Sequence, residues 1–371
     1  MISNRDVHNE GRNMDIKMNM YKILHLFRVS NFTEDFIKFV NNNFIENTHE
    51  FWIYGDREAS NPRIDISLYR NVRYIHCIEE KLKSKELYTY DKIIYHGAFE
   101  QTIINVFFLK RRLLKRLYIR IWGGDKFLAG NNFQIYMKKY VISNAHALIY
   151  IIPEEKQFMK KNYSIKGKQY CALYNLHGIF EKCDIARRMP QRKKDYIAIQ
   201  LGNSATPSNN HILIMKKLLK FKEENIKIFA PLSYGDNEYA DKVIKVGKEL
   251  FAEKFVGLTD FMTIDKYNEF MNQIDIALFG IKRQQALANI MALLYFGKKV
   301  YLRKGSIVEH YFKTECNCNI ETLEEIDGMN FHEFINFEEE KAITNEKNMT
   351  QLSQLESIKE TWNVIFNERL D

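Results

Sequence analysis

Several short polar turns in this sequence each follow an apolar run, and their residue types point to phosphate and sugar chemistry. Gly202-Asn203-Ser204 closes the run Tyr196–Leu201 and precedes a helical stretch from His211 to Glu224. Such a turn presents backbone N–H groups with little bulk, which suits a phosphate or a sugar laid against the main chain. Arg283-Gln284-Gln285 lies between a run ending at Phe279-Gly280 and an expected helix from Arg283 to Phe296. An arginine at a helix start is a ready diphosphate site, and the two uncharged glutamines suit sugar hydroxyls or a base edge. Pro231-Leu-Ser-Tyr234 follows the run Ile226–Ala230 and precedes Asn237-Glu238-Tyr239. Tyr234 or Tyr239 is then placed to stack on a base or a sugar ring. Nearer the start of the chain, His96-Gly97 and Trp122-Gly123-Gly124-Asp125 also close apolar runs. Their glycines admit a ligand, and either Asp125 or His96 is a candidate general base for an acceptor hydroxyl.

Metal chemistry has no sequence support. The chain contains no Asp-x-Asp, His-x-x-x-His or His-Glu-x-x-His pattern, and Cys316-Asn317-Cys318 is too tight for the usual zinc spacing. No cofactor is expected. A leaving diphosphate would then be stabilised by helix N-termini and basic side chains. The five cysteines form no C-x-x-C pair and read as reduced thiols of a cytoplasmic protein.

The elements that must hold these turns alternate short apolar runs with longer helical ones, the pattern of βαβ units on parallel sheets. At 371 residues with 46% hydrophobic content, the chain suits two domains. The expected layout is a flexible leader over 1–20, a first Rossmann-like domain over 21–180 and a basic linker over 181–195. A second Rossmann-like domain follows over 196–345, and a helical tail over 346–371 packs back on the first. Asn31 or Thr33 is a candidate cap for a helix ending at Phe44, and Gly55-Asp56 reads as a turn. Neither a signal peptide nor an apolar stretch of membrane-spanning length is present. The net charge is +8, and one basic run spans Lys110–Arg116. Arg111, Arg112, Lys115 and Arg116 follow the apolar segment Ile103–Leu109 on one expected helix, Gln101–Lys115, which suits contact with an anionic membrane surface. No nucleic-acid-binding motif accompanies the charge.

Taken in order across residues 92–312, five pieces carry a family likeness: His96-Gly97-Ala98-Phe99; Ile121-Trp-Gly-Gly-Asp125; Leu201-Gly-Asn-Ser204 with Ser208-Asn209-Asn210-His211; Pro231-Leu-Ser-Tyr234 with Asn237-Glu-Tyr239; and Arg283-Gln-Gln285. The chain resembles the glycosyltransferases of enterobacterial common antigen synthesis, glycosyltransferase family 56, which transfer 4-acetamido-4,6-dideoxy-galactose from its dTDP carrier to lipid II. The resemblance implies a metal-independent GT-B enzyme of two Rossmann-like domains facing a cleft. It also implies a nucleotide-sugar donor held by the second half, with Asn210 among the donor residues, a lipid-linked saccharide met by the first, and attachment to the inner face of the cell membrane. One departure is Ala286-Leu-Ala-Asn289, where the enterobacterial members carry a glycine-rich stretch, so phosphate contact is expected to rest on Arg283 and the glutamines. The rival expectations are a nucleotide-sugar 2-epimerase or hydrolase on the same fold and a non-catalytic nucleotide-binding protein of the membrane surface.

Overall fold

The computed structural model describes residues 20–30, 32–55, 65, 68–174, 177–190 and 193–370. The expectations for the leader before Met20, for Asn31 and for Asp56 lie outside these residues.

Two wholly parallel sheets organise the chain. The first contains β1 (Lys22–Arg28), β2 (Thr48–Tyr54), β3 (Val72–Tyr74), β4 (Lys92–Tyr95), β5 (Leu117–Arg120), β6 (Ala147–Tyr150) and β7 (Lys168–Cys171). Their spatial order is β3-β2-β1-β4-β5-β6-β7. The second contains β8 (Ile197–Leu201), β9 (Ile226–Pro231), β10 (Phe255–Leu258), β11 (Ile276–Phe279), β12 (Lys299–Leu302) and β13 (Glu321–Thr322), in the order β10-β9-β8-β11-β12-β13. In each sheet the order reverses once, between β1 and β4 and between β8 and β11. Loops leaving the carboxyl ends of strands at such a reversal diverge and leave a crevice, which is where open α/β sheets bind ligands. Strands covered on both faces read as unbroken apolar runs. Ile23, Leu24, Leu26 and Phe27 of β1 are buried accordingly, and so is His25 between them.

The expected elements stand where the apolar period is long. The helix Asn237–Phe251 has the bounds read from the sequence, and Thr263 caps the helix Ile264–Asn272 by accepting from Lys266 N–H. Several expectations change, among them the helix read over His211–Glu224, which ends at Leu218 before a 3-10 turn, Leu219–Phe221. The Tyr74–Ile78 run is strand only to Tyr74, and Ile78 opens a helix, Ile78–Lys83. The basic helix expected over Gln101–Lys115 ends at Leu109, and Arg111–Arg116 forms a separate 3-10 turn. There Lys110 Nζ donates to the carbonyls of Leu82, Lys83 and Ser84, tying that turn to the end of another helix. The stretch read as a linker is helical over His177–Arg188, and Asn272 donates to the carbonyl of Ala186 within it. The helix expected from Arg283 starts only at Leu287.

The two sheets do not stand apart. One apolar cluster runs from Ile23 and Phe36 on the first, through Tyr174 and Phe180, to Ile290 and Leu293 on the second. The tail joins them again. The helix Glu339–Leu352 buries Met349 in that cluster, and the next helix, Leu355–Asn367, lays Trp362 and Phe366 against His49 of β2 and against Phe36 and Phe44 of the helical connection between β1 and β2. Lys92 Nζ of β4 donates to the carbonyls of Ile365 and Phe366 at 2.9 and 2.8 Å, capping that helix end.

Candidate functional site

A cleft of about 360 Å³ lies between the sheets. Its second-sheet wall is made by loops at the β8–β11 reversal. Asn203 and Ser204 follow β8, Tyr234 follows β9, and Arg283, Gln284 and Gln285 follow β11 and precede the helix Leu287–Tyr295. These side chains are linked to one another. Asn203 Nδ2 donates to the Tyr234 hydroxyl at 2.8 Å, and Gln285 Nε2 donates to Asn203 Oδ1 at 3.4 Å. Ser208 Oγ donates to Gln285 Oε1 at 2.7 Å. Gln284 Oε1 is buried without a hydrogen-bond partner among the described residues. Burial holds the Arg283 guanidinium below its ordinary pKa. Gly202 has φ +65, and a Cβ there would come within 2.6 Å of His211 Nε2, so the turn needs glycine. Ala286 has φ +59, a left-handed conformation that a glycine would adopt without strain and an alanine does not.

The opposite wall comes from the first sheet: Phe32, Asp35 and Phe36 after β1, Arg120 and Trp122 at the end of β5, and Leu173 and Tyr174 after β7. Asp35 is the one carboxylate among the cleft-lining residues. The glycines beside Trp122 bring the walls together. A Cβ on Gly124 would lie 3.7 Å from Arg283 Nη1, and Gly97, at φ +122, lies under the rings of Phe99 and Trp122.

The structure corrects several sequence-based assignments. Asp125 is buried behind the cleft, where Oδ2 accepts Ala98 N–H at 3.0 Å and Oδ1 accepts Trp122 N–H at 2.9 Å and Gly123 N–H at 3.1 Å. Burial pushes its carboxyl up to about 6, against the pull of those donors. It anchors the loop and is not among the cleft-lining residues. His96 is buried too, and burial followed by the charge of Arg120 holds its imidazole well below the usual range. It reaches the cleft only through Tyr174, whose hydroxyl is 2.6 Å from His96 Nδ1. Tyr239 turns away from the cleft, its hydroxyl 3.3 Å from His211 Nδ1. Asn210 precedes the helix His211–Leu218 in a left-handed conformation, without a side-chain cap, and donates to the carbonyl of Gly280, which ties the β8 and β11 loops together. Of the basic run, Arg111, Arg112 and Lys115 are exposed, whereas Arg116 is committed to the carbonyls of Tyr88 and Tyr90.

Asp35 and Tyr174 line the cleft and were not singled out by sequence, and Arg120, also in the lining, was read only as a charge close behind the basic run. Arg120 carried a signal, as a charge ending the apolar strand run Leu117–Ile119. Asp35 carried only its place just after β1, and Tyr174 follows β7, a strand outside the expected elements. Among the described residues one His/carboxylate group could hold a metal, Glu154, His310 and Glu315, with ligand atoms within 4.8 Å of one another. None of the three lines this cleft.

Two parallel-sheet halves facing a cleft at their strand reversals define a GT-B glycosyltransferase. The chain belongs to the family described as 4-alpha-L-fucosyltransferase, glycosyl transferase group 56, which it matches over residues 20–348. It is an enzyme of sugar transfer. Solved structures share the fold at low identity. A glycosyltransferase from Rickettsia africae ESF-5 aligns at 14% identity with TM-score 0.65, covering 94% of this chain and 98% of that one. Anabaena HepE, in complex with UDP and glucose, aligns at 11% identity with TM-score 0.66, covering 94% of this chain and 100% of that one. Sucrose-phosphate synthase of Thermosynechococcus elongatus aligns at 10% identity with TM-score 0.65, covering 94% of this chain and 98% of that one.

Proposed function

We propose that this glycosyltransferase moves a 4-acetamido-4,6-dideoxyhexose or related deoxy sugar from a nucleoside diphosphate, dTDP in preference to UDP or GDP, to a polyprenyl-diphosphate-linked saccharide in surface polysaccharide synthesis. The observation that carries the reading is the pairing of walls in one cleft: Asn203, Tyr234 and Arg283–Gln285 on one side, Asp35, Arg120 and Trp122 on the other. The second-sheet wall takes the donor. Arg283 and the N–H groups opening the helix Leu287–Tyr295 neutralise the diphosphate as it leaves with the bonding electrons. Tyr234, half exposed, offers a ring to the base or sugar. That HepE is found with UDP and glucose supports a nucleotide donor in this fold. Asp35 is the carboxylate placed to take the acceptor proton, in place of Asp125 and His96.

A lipid-linked acceptor agrees with the surface of the first half. Phe133 and Tyr136 are exposed beside Phe108, and Leu109 is exposed at the end of its helix. The Arg111 guanidinium stands 5.1 Å from the Phe108 ring centre and 4.9 Å from that of Tyr140. Aromatic rings interleaved with arginine suit the headgroup layer of an anionic bilayer. No described helix is long and apolar enough to cross a membrane, so attachment at the inner face would be peripheral.

The test is to incubate dTDP- and UDP-sugars with the protein, with and without a lipid-linked saccharide, and separate the products. Transfer that requires the acceptor supports the reading. Donor consumed equally without acceptor points to an epimerase or hydrolase, and nucleotide binding without turnover for any acceptor points to a non-catalytic protein.

A further inference from the structure

We infer that Arg120 and Tyr174 form an anion-binding subsite on the first-sheet wall of the cleft, made to accept a carboxylate or phosphate group of a substrate. The proposal rests on the transferase reading only in calling that ligand a substrate.

Arg120 has no exposed surface, yet it lines the cleft. Its Nη1 donates to the carbonyl of Ala172. Nε and Nη2 are buried with no hydrogen-bond partner among the described residues, and the carboxylate whose charge the guanidinium feels, Asp125, is already committed to three backbone N–H groups. Instead its centre sits 4.0 Å from the Tyr174 ring centre and 5.8 Å from that of Trp122. A buried guanidinium with free N–H groups and no directly paired counter-charge is unfavourable unless a ligand completes it. Guanidinium has donors only, so the ligand atom must be an acceptor.

The Tyr174 hydroxyl is set to donate as well. Behind it runs a chain of three buried imidazoles, with His96 Nε2 3.0 Å from His25 Nδ1 and His25 Nε2 3.0 Å from His49 Nδ1. The groups facing them are Phe27, Phe36, Phe44, Phe51 and Phe366, with Arg120 and Tyr174 as the charged and titratable neighbours. Burial holds His25 and His96 well below the ordinary histidine pKa and His49 down to about 3, so all three are neutral. A neutral chain of this kind has two polarities. In one, every Nδ1–H points toward Tyr174, whose oxygen accepts and whose O–H is free for the cleft. The other leaves an N–H stranded at His49 Nε2, which has no partner among the described residues. Stranded buried N–H groups are the rarer kind of defect, and the positive Arg120 beside Tyr174 also favours an oxygen that accepts. The corner therefore holds Nε–H, Nη2–H and O–H on two stacked side chains, donors that suit an oxyanion.

Two sources could fill it, the diphosphate of the donor or an anionic group of the acceptor. Thermal stabilisation by UDP, inorganic phosphate and glucuronate, read on wild type, Arg120→Met and Tyr174→Phe, separates them. Arg120→Met keeps the stem and removes the charge, so without ligand it should melt no lower than wild type. The affinity of at least one probe should weaken about tenfold or more in both variants. Loss for UDP assigns the subsite to the donor, and loss for phosphate or glucuronate with UDP intact assigns it to the acceptor. Equal stabilisation of all three proteins by every probe, or none of wild type by any, overturns the subsite. In ¹⁵N-histidine spectra all three imidazoles should be Nδ1–H tautomers that do not titrate between roughly pH 5 and 8, and Nε2–H tautomers would overturn the orientation of Tyr174. Wild type that binds phosphate or glucuronate but no nucleotide would instead count against the transferase reading alone.

Discussion

Gly123 of the first sheet and Gln284 of the second are in contact across the cleft, so close that a Cβ on Gly123 would stand 3.0 Å from Gln284 Cβ and 3.1 Å from its carbonyl oxygen. Gly123 also has φ +95. Gly123→Ala is therefore expected to cost about 1–2 kcal/mol in backbone strain and to wedge the loops apart at the place where donor and acceptor must meet. The protein should remain folded by circular dichroism while kcat/KM drops at least roughly tenfold, about 1.4 kcal/mol of transition-state binding.

The contrast between Asp35 and Asp125 separates chemistry from scaffolding. Asp35→Asn should lower kcat by about 10²–10⁴ with little change in either KM, as loss of a general base does, and with unchanged melting temperature. Asp125→Asn replaces an acceptor of three backbone N–H groups by an amide with one acceptor oxygen. It should lose roughly 1–3 kcal/mol of stability in denaturant unfolding. An Asp35→Asn enzyme with full turnover would remove it from the base role.

Arg283→Ala should reduce kcat/KM by roughly 10²–10³, the scale of losing one preorganised donor to the leaving group. Its side chain is partly exposed to the cleft, so stability should change little. Steady-state kinetics with varied donor, beside a thermal melt, checks both halves of the prediction.

Much of this site was legible in the sequence because turns after strands carry their chemistry in consecutive residues. Asn203, Ser204, Tyr234 and Arg283–Gln285 were marked that way, and all line the cleft. Position after a strand, however, does not say which way a side chain points. Asp125 turns back into its own loop, Asn210 turns to the carbonyl of Gly280 in the loop after β11, and Tyr239 turns toward His211 on a neighbouring helix. Arg120 shows the opposite failure. In sequence it follows a basic surface run, but strand alternation carries it inside, and only the tertiary fold reveals that it lacks a directly paired counter-charge. The helix His177–Arg188 read as a linker because its charged end, Arg187-Arg188, runs into Met189-Pro190. Arg187 instead spans the surface to Glu346 at 2.6 Å.

The tail should be acid-labile through Glu368. Its carboxylate accepts from Tyr118 at 2.5 Å, lies 3.1 Å from His146 and pairs with Lys168. Burial opposes the charge, but Lys168, Tyr118 and His146 outweigh it and hold the pKa down to about 2. A depressed carboxylate stabilises the fold above its unfolded pKa of about 4.3 and ceases to do so as pH falls toward 2. Glu368→Gln should thus cost about 2 kcal/mol at pH 7, and the difference from wild type should shrink steadily below about pH 4. Denaturant unfolding of both proteins at the two pH values measures it.

The chain passes between its halves twice, once after Tyr174 and once at Ser353-Gln354. The crossings are pinned side by side, since Trp362 Nε1 donates to the carbonyl of Leu173 at 2.8 Å. Together they border a second cavity, of about 560 Å³, lined by Ala172, Leu173, Leu352 and Ile358. Two fixed pivots leave one axis of rotation, as on a door. Opening and closing for substrate exchange is then expected as a swing about the line through these crossings, with the Gly123–Gln284 contact as the edge that parts.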